Sequence, residues 1–185
     1  PLDLPRAMNM NTLYYACKAL EEVPEVNAPL ATTWRQTYYQ MTLAKKIATP
    51  WGPAATDIYY NMWDTSTKLQ DIGRVLDLTN VVTTTNWLWT NDPMHIEGPI
   101  TIKGCKGDFY LRNCRKLTSI RYENMDPMCG NLDFRNCALE AEDIDLLFGD
   151  LIVTDIPATI NVSGNPGAIS CNPTIASDKG WTVTL

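Results

Sequence analysis

Apolar residues recur along this chain with a long, regular interval. Val23, Ile47, Ile72, Ile96 and Ile120 follow one another at a nearly constant step of about two dozen positions. Nine positions before each stand Tyr14, Tyr38, Trp63, Trp87 and Leu111. Three before stand Leu20, Ala44, Leu69, Pro93 and Leu117, and six before stand Cys17, Met41, Ser66, Thr90 and Cys114. Three after stand Val26, Pro50, Val75, Pro99 and Glu123. Self-similarity at this spacing is the mark of a solenoid. One unit cannot bury its apolar side alone, so stacked neighbours complete a continuous core. The columns are therefore expected to be buried rows. Pro50 and Pro99 interrupt ladder pairing, so strands there are expected to be short.

A second pattern overlaps the first. Ile100-Thr101-Ile102-Lys103-Gly104-Cys105, Phe109-Tyr110-Leu111-Arg112-Asn113-Cys114, Leu132-Asp133-Phe134-Arg135-Asn136-Cys137 and Ile160-Asn161-Val162-Ser163-Gly164-Asn165 share one order. Each runs apolar, variable, apolar, polar, Gly or Asn, then Cys or Asn. The alternation predicts a strand with one buried face. Gly or Asn then lets the backbone turn out of the strand. The last residue points inward, Asn to bond turn backbone and Cys to fill space. Between the third and fourth copies, Ile144, Leu147 and Phe148 have helical spacing. A helix over 141–148 is expected, with Glu140, Glu142 and Asp143 near its N-terminus and Gly149 as its stop. Trp181-Thr182-Val183 is expected to be a capping strand, and 165–167 and 178–180 are turn signals.

The order L-x-L-x-x-[NC]-x-L, complete from Leu132 to Leu139, resembles that of leucine-rich repeats. At Leu13-Tyr14-Tyr15-Ala16-Cys17-Lys18-Ala19-Leu20-Glu21-Glu22-Val23-Pro24 the chain is similar to BspA-like leucine-rich repeats, whose units carry a large apolar pair, a cysteine and L-x-x-[IV]-P. Cys114-Arg115-Lys116-Leu117-Thr118-Ser119-Ile120 repeats the phrase. The tail from Ile160 through Cys171 to Val183 is similar to a terminal unit of such proteins in gut bacteria and their phages. The likeness covers most of residues 10 to 185. Met41, Ser66 and Thr90 depart from it at the cysteine position. It implies an α/β leucine-rich-repeat solenoid in one domain over 1–185. Degenerate repeats would fill 10–125, with sharper repeats and a cap at 126–185. Short parallel strands would form one face, and turns with short helices or 3-10 segments the other. It further implies an extracellular, cell-surface or virion protein that binds a host or partner molecule.

Composition narrows this picture. The chain has 185 residues, 45% of them hydrophobic, which is enough for a continuous core. Its net charge of -6 opposes phosphate backbones, so nucleic acid is not an expected partner. No apolar run is long enough to predict a membrane span. The chain opens on Pro1 with no visible signal peptide, so a processed or excised piece is expected. Cys17, Cys105, Cys114, Cys129, Cys137 and Cys171 form no C-x-x-C pair, so no zinc site or other cofactor is expected. The equivalent repeat positions of Cys105, Cys114 and Cys137 point to buried thiols; disulfides in an oxidising setting are the alternative. His95 is the only histidine, which argues against a Ser-His-Asp or Cys-His site. It is expected in a turn.

The candidate binding positions lie on the outward strand face. Lys103, Arg112 and Arg135 occupy one repeat position, so three cations are expected in a row. Asp133 or an acidic group on a partner would compensate them, and Tyr110 would add an aromatic anchor. Local pairing on a solvated face is the competing reading. Tyr14, Tyr38, Trp63 and Trp87 have the chemistry of a sugar platform, but their regularity assigns them to the core. Trp34, Trp51, Tyr60 and Trp89, outside those columns, are the better carbohydrate candidates if exposed. Asn161-Val162-Ser163 matches the glycosylation sequon but falls in a predicted strand. Glu140, Glu142, Asp143 and Asp145 lack the spacing of a calcium loop. The expected function is a non-catalytic binding or adhesion module recognising a protein or surface glycan. One alternative is a structural phage tail or fibre component, associating with itself or with neighbouring virion chains. A second is a polysaccharide-degrading β-solenoid with Asp133 and Asp145 as conceivable acids.

Overall fold

The computed structural model describes residues 1–48, 50–59, 62, 68–82 and 94–185. The fold is a parallel β-solenoid with little helix. Two compact units divide the chain: Pro1–Gly73 with Asn80–Ile96, and Arg74–Thr79 with Glu97–Leu185. The strands in chain order are β1 (Leu2–Asp3), β2 (Glu22–Val23), β3 (Val26–Asn27), β4 (Lys46–Ile47), β5 (Val75–Asp77), β6 (Met94–Glu97), β7 (Ile100–Lys103), β8 (Gly107–Tyr110), β9 (Cys114–Lys116), β10 (Ile120–Glu123), β11 (Cys129–Asp133), β12 (Ala158–Asn161) and β13 (Trp181–Thr184). Two helices are described, α1 (Ala141–Asp150) and α2 (Thr174–Ser177).

In the first unit successive coils follow the step of the sequence repeat. Leu2 pairs with Val26, Val23 with Ile47, and Asn9 with Thr33, which pairs in turn with Asp57. Lys46 bridges Asp71, which brings Ile72 into register with Ile47. Strands here are only two residues long. Short strands are expected at Pro50 and Pro99: β4, ahead of Pro50, is short, but β6 and β7 on either side of Pro99 run to four residues. Most inter-coil bonds come from turns instead. The N–H groups of Met10, Thr12, Tyr14 and Ala16 donate to the carbonyls of Thr33, Arg35, Thr37 and Tyr39 at 2.8–3.1 Å. Between them, Leu13, Tyr15 and Cys17 donate three residues back along their own coil. Left-handed backbone makes this possible at Thr12 and Ala16 (φ 59° and 55°), and again one coil later at Gln36 and Gln40 (φ 53° and 57°). Of the turns, short helices and 3-10 segments expected outside the strands, this segment uses a repeated turn, whose donors stack coil on coil.

The second unit holds two parallel sheets. β5, β7 and β10 form one, in the order β10-β7-β5, and β8, β11, β12 and β13 form the other, in the order β13-β12-β11-β8. Each strand of the repeated pattern ends in a left-handed residue: Gly104 (φ 66°), Asn113 (61°), Asn136 (55°) and Gly164 (71°). These are the residue types that adopt this conformation at least cost. Leu132 pairs with Phe109 on one side and Ile160 on the other, and Ile160 with Val183. The longest of these steps, from Leu132 to Ile160, carries α1.

The five residues of the predicted column are all buried, between 0% and 3% exposed. Their register is not uniform. Ile120 pairs with Ile100, not with Ile96, and Val75 is exposed where Leu76 turns inward beside Ile102. Tyr38 and Leu111 of the aromatic column are buried, whereas Tyr14 is half-buried. In the third coil the buried residue in register with Tyr38 is Met62. Trp63, Trp87, Ser66, Thr90 and Pro93 lie outside the described residues.

Helix α1 buries Ile144, Leu147 and Phe148, as its spacing predicts, but runs through Gly149 to Asp150. Its end is held from a distance. The Lys179 ammonium donates to the carbonyls of Phe148, Gly149 and Leu151 at 3.1, 2.6 and 2.7 Å. A cation at a helix C-terminus complements both the orphan carbonyls and the dipole, so a glycine stop is unnecessary. Asn165 is buried and does what its repeat position predicts. Its amide donates to the carbonyls of Phe134 and Val162 and accepts from the N–H of Leu139.

Candidate functional site

The parallel ladder places Tyr110 beside Asp133, and Asp133 beside Asn161. Beyond the strand ends, the N–H of Asn113 bonds the Arg135 carbonyl, which puts Arg112 and Arg135 on successive rungs. Asp133 sits between the two guanidinium groups, 3.5 Å from Arg112 Nη1 and 3.4 Å from Arg135 Nε. It also accepts the N–H of Arg135, two residues on. The Arg112 side chain is 18% exposed and that of Arg135 40%. Tyr110 is half-buried and its hydroxyl donates to Asp108 Oδ2 at 2.9 Å. Burial raises its pKa to about 12, with the bond to Asp108 and the charges of Asp108 and Asp133 acting the same way. The phenol stays a neutral donor throughout the physiological range.

Lys103 does not join this group. It ends β7, in the other sheet, and pairs with Glu123 on β10 at 3.3 Å. The expected row of three cations is therefore two arginines sharing one aspartate, with the lysine on a separate ladder holding its own acid. Repulsion between Arg112 and Arg135 is offset within the protein, without an acid from a partner.

Other candidates fall differently. Trp34 and Trp51 are buried, at 0% and 8% exposure, and Trp34 donates its indole N–H to the Ala31 carbonyl. They are core, not sugar platforms, because the coil folds both inward. Tyr60 and Trp89 lie outside the described residues. The aromatic the sequence did not single out is Tyr15, 46% exposed and stacked on Tyr39 at 5.2 Å with 4° between the rings. The doublet Tyr14-Tyr15, repeated as Tyr38-Tyr39, was the available signal: one ring of each pair turns in and the other out. The inner pair stacks too, at 5.8 Å and 13°. Each stacked pair covers one face of each ring.

His95 is exposed in β6, not in a turn. The Asn161 carboxamide oxygen accepts both the N–H and the hydroxyl of Ser163, so the sequon closes its own turn. Asp145 Oδ1 accepts the N–H of Asn172 at 2.6 Å. Cys105, Cys114, Cys129 and Cys137 are buried. Hydrogen bonds to Cys129 and Cys137 raise the pKa values of Cys105 and Cys114, and burial adds to both. Thiolate is strongly disfavoured there. Among the described residues no group of His, Cys, Asp and Glu is arranged to hold a metal ion, and no helix is long and apolar enough to cross a membrane.

Comparison with known proteins adds no relative: no family model, no curated protein and no solved structure matches the chain.

Proposed function

We propose that the chain is a non-catalytic binding module of an extracellular, cell-surface or virion protein, built as a BspA-like leucine-rich-repeat solenoid. It recognises a protein or surface glycan through the outward face of β8 and β11. The observation that carries this reading is the row of Tyr110, Arg112, Asp133 and Arg135 on adjacent rungs. Two partly exposed guanidinium groups are held in place by a shared carboxylate, beside a phenol that stays protonated. Arginine forks fixed in this way offer paired donors to a carboxylate or sulfate with little ordering cost on binding. The adjoining aromatic supplies the anchor that interface cores favour.

The test is binding to immobilised anionic surface polysaccharides and host surface proteins. The unaltered chain is expected to bind at least one, and Arg112→Ser combined with Arg135→Ser to abolish that binding. Asp133 is 13% exposed and loses both cations in this variant, so stability is expected to fall by about 1–3 kcal/mol, and binding is compared at a temperature where melting curves show both forms folded. Undiminished binding by the folded double variant contradicts the assignment. Cleavage of a polysaccharide in the same panel would support the enzymatic alternative.

A further inference from the structure

The two rungs that carry the arginine row are flanked by cysteines at both ends. Cys105 precedes β8 and Cys114 follows it; Cys129 opens β11 and Cys137 follows it. All four are buried, at 6% exposure or less. Cys114 and Cys137 meet directly. The register that sets Phe109 against Leu132 and Tyr110 against Asp133 continues past the strands, where the N–H groups of Leu111 and Asn113 donate to the carbonyls of Asp133 and Arg135. One step on, Cys114 faces Cys137 across one coil, and the two thiols are hydrogen-bonded. Neighbouring rungs of a parallel ladder lie about 4.8 Å apart, within the Cα separation that a disulfide spans. At the other end Cys129 pairs with Gly107. In the turn around Gly104 and Gly107 (φ 66° and 79°) Cys105 points inward, its thiol 3.7 Å from the Gly107 carbonyl oxygen and hydrogen-bonded to Cys129. Cys17 and Cys171 differ: both are only half-buried, and the Cys171 thiol donates to the Ala168 carbonyl at 3.4 Å.

We propose that Cys105 with Cys129, and Cys114 with Cys137, are disulfide sites, oxidised by a disulfide-bearing oxidant as the coils close, so that the β8 coil is clamped to the β11 coil at both ends. The thiolate of one cysteine attacks the oxidant's S–S bond, forming a mixed disulfide and expelling one oxidant sulfur as thiolate. The thiolate of the partner cysteine then attacks the protein sulfur of the mixed disulfide, and the second oxidant sulfur leaves. The two cysteine protons pass to the departing thiolates, so two thiols are oxidised and one disulfide is reduced. Burial disfavours thiolate in the closed fold. The exchange therefore belongs to coil assembly, and the finished bonds are shielded from reductants in solvent. Each link closes a loop of one coil and restricts the unfolded chain. The clamp holds Tyr110 and Arg112 in register with Asp133 and Arg135, yet it is read from sulfur connectivity and stands whether or not that row binds.

The full chain is refolded from denaturant in mixed oxidised and reduced glutathione, alkylated under denaturing conditions and digested with trypsin. Cys105, Cys114 and Cys129 fall in separate peptides, 104–106, 113–115 and 122–135, whereas Cys137 shares 136–179 with Cys171. A parallel digest of Cys171→Ser assigns the link in that last peptide. Peptide 104–106 is expected joined to 122–135, and 113–115 to 136–179 through Cys137, with Cys17 and Cys171 alkylated. The oxidised chain is expected to melt about 5–15 °C above the same chain after reduction. Cys114→Ser is expected to return Cys137 to the alkylated set and to leave the other link in place. Six alkylated cysteines in a refolded chain whose circular dichroism matches that of the reduced folded chain overturn the proposal. So does any other connectivity, or the expected connectivity with no rise in melting temperature.

Discussion

The two units reach a stacked core by different local means. In the first, coils keep a near-constant length, strands are two residues long, and left-handed corners fall on Thr12, Ala16, Gln36 and Gln40. In the second, strands run to five residues and corners fall on Gly or Asn. Coil length varies there: the step from Ile100 to Ile120 is visibly shorter than the step from Leu132 to Ile160. What the units share is the inward row of apolar side chains, so burial and not strand length is what each coil must satisfy. Where strands carry the ladder, a coil can lengthen to admit a helix. Where turns carry it, donors sit at every second residue, and one inserted residue would misplace them all.

The largest effects test that equivalence of cores. Phe134 and Tyr38 are both 0% exposed, and truncating either to alanine is expected to cost about 3–5 kcal/mol in denaturant unfolding. A Tyr38→Ala loss below about 1 kcal/mol would show that the turn-built coils lack a tightly packed core. An intermediate effect is confined to the second unit. Asp150 accepts from Arg121 Nε and Nη2, at 2.6 and 2.7 Å, and from the N–H of Tyr122 at 3.0 Å. Burial works to raise its pKa, but these bonds, with the charges of Arg121 and Lys179, outweigh it and hold the carboxyl below its ordinary value. The resulting stabilisation is complete above the ordinary aspartate pKa and is lost as pH falls through the depressed one. Asp150→Asn is expected to cost about 1.5–3 kcal/mol at neutral pH and to flatten the acid limb of the stability profile. An unaltered acid limb would remove Asp150 from that role.

The smallest effects separate the corners. Asn136→Ala puts a poorly suited residue at φ 55° and is expected to destabilise by about 1 kcal/mol. Ala16→Gly relieves a residue already in that position and is expected to stabilise by up to about 1 kcal/mol. Equal signs in thermal melts would mean that corner conformation does not distinguish the units.

The same contrast explains what could be read in advance. The inward rows were legible because apolar side chains recur at the two-dozen-residue period of a solenoid, and α1 because Ile144, Leu147 and Phe148 share a face. Corners in the second unit were legible through Asn113, Asn136 and Gly164, whose residue types announce left-handed backbone. Those at Ala16 and Gln40 were not, since neither residue favours it and only the stacked neighbour enforces it. The grouping of Arg112, Asp133 and Arg135 followed from equal places in neighbouring repeats. Lys103 defeated the same reasoning because its strand ladders with β5 and β10, a partnership decided by coil length. The exposure of Tyr15 was hidden in a doublet, where only the fold decides which ring turns inward. The reach of Lys179 to the end of α1 has no local signature.

Side chains one coil apart touch within the buried rows, and methyl nuclear Overhauser contacts detect this. Cross-peaks are expected between Val23 and Ile47, between Ile47 and Ile72, and between Ile100 and Ile120. Their absence from a well-dispersed spectrum of the folded chain would contradict it.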